Sequence, residues 1–114
     1  MRFIDGINRQ DISATGIKII LREKNRIIAR ASLYLLRNDL HEKPYGFMED
    51  VFVEEQFRGQ GYGGKIAAAI IEEARKRGCY KLICTSRCSN EKAHKLYEKL
   101  GFKNHGNEFR IDLR

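Results

Sequence analysis

The sequence predicts an α/β domain in which a meander of strands, a helix, a further strand and a second helix share one mixed, mostly antiparallel sheet. Three observations carry that prediction. Runs rich in β-branched and aromatic residues, separated by turn chemistry, fill the first half of the chain. A cluster of four glycines then leads into an apolar stripe at helical spacing, and a second such stripe follows after a short apolar run. The 114 residues suit a single domain over 1–114, because domains commonly run to about 100–200 residues. Thirty of the residues are Ile, Leu, Val or Phe, more than the roughly 20% below which chains stay disordered.

Taken in order, Ile4, Ile7 and Ile12 are scattered among polar positions and define no element. Gly16 to Arg22 reads as a strand, Lys24-Asn25 as a turn, and Arg26 to Leu36 as the hairpin partner, closed by Asn38-Asp39. Tyr45 to Val53 is a third strand, entered after Pro44, the single proline. Lys65 to Arg77 places Ile66, Ile70 and Ala74 on one face, with cations in its last turn and Gly78 just beyond, the pattern of a helix and its stop. Tyr80 to Thr85 reads as a fourth strand. Asn90 to Leu100 carries Ala93, Leu96, Tyr97 and Leu100 at helical spacing and stops at Gly101; Phe102 and Glu108 to Leu113 then offer a final pair of short strands.

Composition excludes several classes of function. No apolar run approaches the roughly 20 residues of a membrane span, and Met1 to Gly6 lacks the apolar core of a secretory signal, so a cytoplasmic location is expected. Cys79, Cys84 and Cys88 form neither an even-numbered disulfide framework nor a Cys-x-x-Cys pair, which points to reduced thiols and no metal. A formal net charge of +7 favours an anionic partner: a phosphate-rich cofactor, an acidic protein or nucleic acid.

The loop Gln56 to Lys65 narrows that choice. Glycines between a strand and a helix let the backbone come close and aim N–H groups at an anion, where the helix dipole also favours negative charge. Gly59, Gly61, Gly63 and Gly64, beside Arg58 and Lys65, therefore suit a phosphate. Two familiar phosphate loops match in outline only. Gly59-x-Gly61-x-x-Gly64 has the dinucleotide spacing, but the strand that follows, Lys81 to Arg87, lacks the carboxylate that would hold ribose. Gly59-x-x-x-x-Gly64-Lys65 is nearly a nucleoside-triphosphate loop, but Ile66 stands where Ser or Thr must hold magnesium.

A third pattern fits better. Arg58-x-x-Gly61-x-Gly63, after a strand ending Val51-Phe52-Val53, resembles the acetyl-coenzyme A signature of the GNAT superfamily of N-acetyltransferases. Asn90 to Phe102 resembles that superfamily's later helix motif almost throughout, so the likeness spans Tyr45 to Phe102, half the chain. The resemblance implies a sheet whose central strands splay apart, with the pantetheine arm of acetyl-coenzyme A in the gap. Backbone groups of Val51, Phe52 and Val53 would then hold the arm. The segment Arg58, Gly59, Gln60, Gly61, Tyr62, Gly63, Gly64 and Lys65 would hold the pyrophosphate, and Asn90 would contact the cofactor from the head of the second helix, where it also suits an N-cap.

The resemblance also assigns the chemistry: acetyl transfer directly to a primary amine, on a small molecule or a protein, with Tyr97 as general acid for the departing thiolate. A phenol of pKa about 10 can protonate a thiolate of pKa about 8.5 at small cost. Periodicity alone would make Tyr97 part of the apolar stripe. The amine must shed a proton, and freeing one of pKa about 10.4 at pH 7 costs roughly 4.6 kcal/mol. Met48-Glu49-Asp50-Val51-Phe52-Val53 resembles the acidic strand of polyamine and glucosamine-phosphate acetyltransferases. That likeness makes Glu49 the candidate base or amine ligand and Asp50 the second substrate contact, while pairing with one of the chain's many cations would explain either carboxylate equally well.

The family usually begins with a strand and two helices; only some fifteen residues precede the first clear strand here, so a shortened N-terminal region is expected. Such a front would leave sheet edges exposed, which motivates a homodimer. It also motivates a competing function, an acyl-coenzyme A binding module without efficient transfer. Nucleic acid ranks last, because the cations are spread along the chain and form no known binding motif.

Overall fold

The computed structural model describes residues 6–114. A four-stranded sheet runs in the order β1-β2-β3-β4, with β1 Thr15–Glu23, β2 Arg26–Leu36, β3 Tyr45–Val53 and β4 Leu82–Ile83. The first three strands are antiparallel neighbours, and β4 lies parallel to β3. Two helices complete the domain, α1 Tyr62–Lys76 and α2 Glu91–Lys99, with a short 3-10 turn at Glu55–Phe57. The α/β class and the mixed, mostly antiparallel sheet are as the sequence predicts. Residues 7–14 carry neither helix nor strand, and Ile4 lies outside the described residues.

Alternation along the strands gives the sheet one apolar face. Ile17, Ile19 and Leu21 of β1 stand beside Leu33, Ala31 and Ala29 of β2, and Leu33 stands beside Met48 of β3. Onto this face α1 lays Ile66, Ala67, Ile70 and Ala74, spaced three and four residues apart. Leu33, Ala31, Ala67 and Ile70 are wholly buried there. Each buried Leu or Ile contributes about 1.5–3 kcal/mol, so this layer is what holds the sheet together.

Two departures from the expected elements concern the second half. The fourth strand, expected over Tyr80 to Thr85, contracts to Leu82–Ile83, because only Gly46↔Leu82 and Phe47↔Ile83 pair with β3. Ladder pairing with β3 ends at those two positions, and β4 is the edge of the described sheet rather than one of its central strands. The expected final strand pair does not form. Phe102 folds back on Tyr97 with ring centroids 5.5 Å apart, but Glu108 to Leu113 finds no strand partner among the described residues. A strand needs a ladder as well as an alternating pattern, and the alternation here has none to join.

Candidate active site

The sheet is fastened at one end of β3 and open at the other. At Gly46 the fastening is tight: a Cβ built there would meet Leu33 Cδ1 and Leu82 Cδ1, each at 2.9 Å. From Met48 onward, β3 has β2 on one side and, among the described residues, no strand on the other. Within this open stretch the register slips: Arg30 pairs with Phe52 while Ser32 pairs with Glu49. Asp50 sits at the slip with φ 56°, a left-handed conformation uncommon for a residue with a side chain. The bulge restores alternation, so that Val51 and Val53 pack against the core.

Side chains hold the bulge on the outer face. Arg30 grips Asp50 with two bonds, Nε to Oδ2 at 2.9 Å and Nη2 to Oδ1 at 3.3 Å, and lies over the Phe52 ring at 4.6 Å. That contact holds the Asp50 carboxyl below its usual range. Arg58 approaches the same ring at 5.3 Å and donates Nε–H to the Val53 carbonyl at 2.9 Å. A carbonyl has two lone pairs, so Val53 retains one acceptor position. Arg30 went unnoticed in the sequence because its partner lies twenty residues away; the visible signal was two consecutive polar residues, Glu49-Asp50, which break the period of two.

The glycine loop leads from β3 into α1, which begins at Tyr62 and so takes in three residues expected in the loop. Gly61 is the N-cap, with φ 87°, and as glycine it offers no side-chain acceptor to the first turn. Lys65 N–H reaches Gly61 O at 3.2 Å; the N–H groups of Tyr62, Gly63 and Gly64 find no acceptor among the described residues. Such orphan donors at a helix N-terminus fit a phosphate. Lys65 lies exposed with its ammonium over the Tyr62 ring at 5.6 Å, and Gln60 turns back toward the Gln56 carbonyl at 3.5 Å. Gly59, like Gly61, has open space where a Cβ would stand.

At the head of α2, Asn90 caps the helix through Oδ1, which accepts Ala93 N–H at 3.1 Å. Tyr97 is half-buried on the core side, packed with Phe102. Burial raises its pKa above the ordinary phenol value, with a further push from nearby Cys84, so the phenol keeps its proton. Cys84 is the first residue past the paired part of β4, and burial raises its thiol too. Glu49 projects exposed from the opposite face, level with Ser32. Thus α2 meets the head of α1 where Leu96 lies against Gly63 and Gly64, Tyr97 lies near Cys84, and Glu49 is exposed on the other face of the sheet. Among the described residues no cluster of His, Cys, Asp and Glu could hold a metal.

Residues 5–102 match the Acetyltransferase (GNAT) family. The chain belongs to the GNAT family. Its relatives include a glucosamine 6-phosphate N-acetyltransferase of Trypanosoma brucei brucei, 38% identical over 89 residues, which cover 77% of this chain and 58% of that enzyme. The chain thus spans little more than half the length of that relative. A crystal structure of a Trypanosoma brucei acetyltransferase superposes with a TM-score of 0.78 at 34% identity, covering 86% of this chain and 69% of that one. The fold is shared also with AAC(6')-Iy in complex with the bisubstrate analog CoA-S-monomethyl-acetylneamine, at TM-score 0.72, 22% identity, and coverage of 87% and 69%. GNAT acetyltransferases take the acetyl group from acetyl-coenzyme A.

Proposed function

We propose that this chain is an acetyl-coenzyme A dependent N-acetyltransferase acting on a primary amine of a small molecule. The observation that carries it is the opening between β3 and β4. The strands pair only at Gly46↔Leu82 and Phe47↔Ile83, and β3 runs on from there to the loop where the N–H groups of Tyr62, Gly63 and Gly64 find no acceptor among the described residues. In this reading Val51, Phe52 and Val53 offer backbone groups along the gap. Arg58 to Lys65 receive the pyrophosphate, and Asn90 adds a contact from α2.

Acetyl-coenzyme A supplies the activated acetyl group. The chain supplies the proton handling. Tyr97 keeps its hydroxyl proton in its half-buried site and is the acid for the departing thiolate. Glu49, on the opposite face, orients the amine or takes its proton. Asp50 stands beside it as a second contact, with its carboxylate already engaged by Arg30. In this reading the acid and the base act from opposite faces of the sheet, with the thioester between them. The resemblance to glucosamine 6-phosphate N-acetyltransferase puts amino sugar phosphates first among acceptors. A second copy of the chain is the expected protein partner, and a cytoplasmic location suits this chemistry.

Calorimetric titration with acetyl-coenzyme A, with NAD and ATP as controls, tests the first half of the proposal; micromolar binding of acetyl-coenzyme A alone is expected. Thiol release with a panel of amines headed by glucosamine 6-phosphate tests the second. Binding without amine-dependent release would make the domain an acyl-coenzyme A binding module instead. No binding at all would mean the loop serves another ligand.

A further inference from the structure

The face of the sheet turned away from α1 carries a charge pattern that donor binding does not use. Register places Lys18 beside Ser32 and Ser32 beside Glu49, so the three residues form one row across β1, β2 and β3. Ser32 is buried, whereas Lys18 and Glu49 are exposed, and neither enters an ion pair among the described residues. A cation and a carboxylate two strands apart stand about 10 Å from each other at the backbone, too far to neutralise each other directly.

The rows on either side differ from each other. In one, Ile20, Arg30 and Phe52 stand in register, and Arg30 is already committed to Asp50 by two bonds. In the other stand Gly16, Tyr34 and Phe47. Tyr34 lies across Gly16 so closely that a Cβ there would meet its ring at 3.1 and 3.2 Å, yet Tyr34 remains 38% exposed. Lys18, unlike Arg30, is thus free to meet a ligand, and an aromatic ring lies in the next row. Its charge is felt at the site: the Asp50 carboxyl is held low chiefly by Arg30 and, to a lesser degree, by Lys18.

We propose that this row receives the acceptor, with Lys18 holding the phosphate of an amino sugar phosphate whose amine lies at Glu49. This rests on the amino sugar phosphate reading above and names the residue that selects the phosphate. Such a sugar carries its amine and its phosphate on opposite sides of one ring, a cation and an anion that complement Glu49 and Lys18. Laid along the row, the ring spans Ser32 and turns its apolar C–H face to Tyr34. The direction follows from the reaction. Glu49 is on β3, the strand that borders the opening, and Lys18 is two strands away on β1. A reversed sugar would set phosphate against carboxylate and amine against ammonium, so the same two charges also exclude the unproductive orientation.

Steady-state kinetics on the full chain test this, with thiol release followed at saturating acetyl-coenzyme A and with glucosamine 6-phosphate and glucosamine as the two acceptors. Lys18→Gln should lower the preference for the phosphorylated sugar, taken as the ratio of the two kcat/KM values, by about 10- to 100-fold, the range of one hydrogen bond to a charged group. The loss should fall on KM for glucosamine 6-phosphate with kcat nearly kept, and Lys18→Arg should retain most of the preference. Lys18 is exposed, so both variants should fold, as circular dichroism would check. A preference that survives Lys18→Gln, or a loss shared equally by both sugars, would overturn the role of Lys18 while sparing the acceptor class. Transfer by the wild type to neither sugar would overturn the acceptor reading and this inference together.

Discussion

The two halves of this domain are built to different standards. In the first, β1, β2, β3 and α1 enclose side chains that no water reaches: Leu33, Ala31, Ala67 and Ile70. In the second, β4 has two residues, α2 buries none of its side chains completely, and the segment beyond Phe102 has no regular element. Yet most of the residues proposed to carry the chemistry lie at the boundary or in the second half. The difference teaches that the meander and α1 form a packed platform, while β4 and α2, which carry or adjoin the proposed Tyr97 and Asn90, make few contacts of their own. Regions that must admit a ligand belong at the less stable end of a fold.

That contrast can be broken most forcefully in the platform. Leu33→Ala or Ile70→Ala should cost about 3–4 kcal/mol in denaturant unfolding, the range for emptying a buried aliphatic site. Leu96→Ala on the half-buried face of α2 should cost less than half as much. Equal losses would show that the halves are one cooperative core.

Next in size is the chemistry itself. Tyr97→Phe keeps the ring contact with Phe102 and removes only the hydroxyl. It should lower kcat about 100-fold, some 2.7 kcal/mol, with acetyl-coenzyme A affinity unchanged in calorimetry. Unchanged turnover would return Tyr97 to a packing role. A smaller effect is expected at the joint between the halves. Gly46→Ala would press a methyl group against Leu33 and Leu82, costing about 1–3 kcal/mol by overpacking. It should also weaken acetyl-coenzyme A binding, because it wedges β4 away from β3 at the wrong end.

Alkaline pH sharpens the comparison. Burial raises Cys79, Cys84 and Tyr97 above their usual values, so the folded state prefers the protonated forms. The stability they contribute is full below the unfolded thiol pKa of about 8.5 and is lost as pH rises through the raised folded values. Urea midpoints should therefore fall on the alkaline side, and Cys84→Ala should flatten part of that fall. If Tyr97 is the acid, the alkaline limb of kcat should also lie above the ordinary phenol value of about 10. The smallest effect belongs to Arg30→Met. Its pairing with Asp50 is solvent-exposed, so the urea midpoint should barely move, while a bulge that shapes the site would register instead as weaker donor binding.

The sequence disclosed the platform because its information is local. Alternation along Gly16 to Leu36 and the stripe Ile66, Ile70, Ala74 each name their own buried face. The glycine loop was legible for a related reason, since the residues that free the backbone also mark where it must bend. What escaped depends on partners distant in the chain. The fourth strand stops at Ile83 because its pairing with β3 ends at Phe47, and nothing in Tyr80 to Thr85 records where a distant partner stops. The Arg30–Asp50 grip joins two strands, and the left-handed turn at Asp50 follows from the slip between them. Glu108 to Leu113 has the pattern of a strand but carries no statement of which edge it would join.

The short fastening of β4 to β3 has one further consequence. Two paired positions make a seam that is completed only when something occupies the rest of the gap, so a bound molecule there becomes a structural member of the sheet. By mass action, occupancy at 100 times the dissociation constant would add about 2.7 kcal/mol. The protein's melting temperature would then rise with donor concentration, and protease cleavage around Cys84 to Asn90 would slow with it. The ligand would thus be part of what sets the protein's lifetime as well as its reactant.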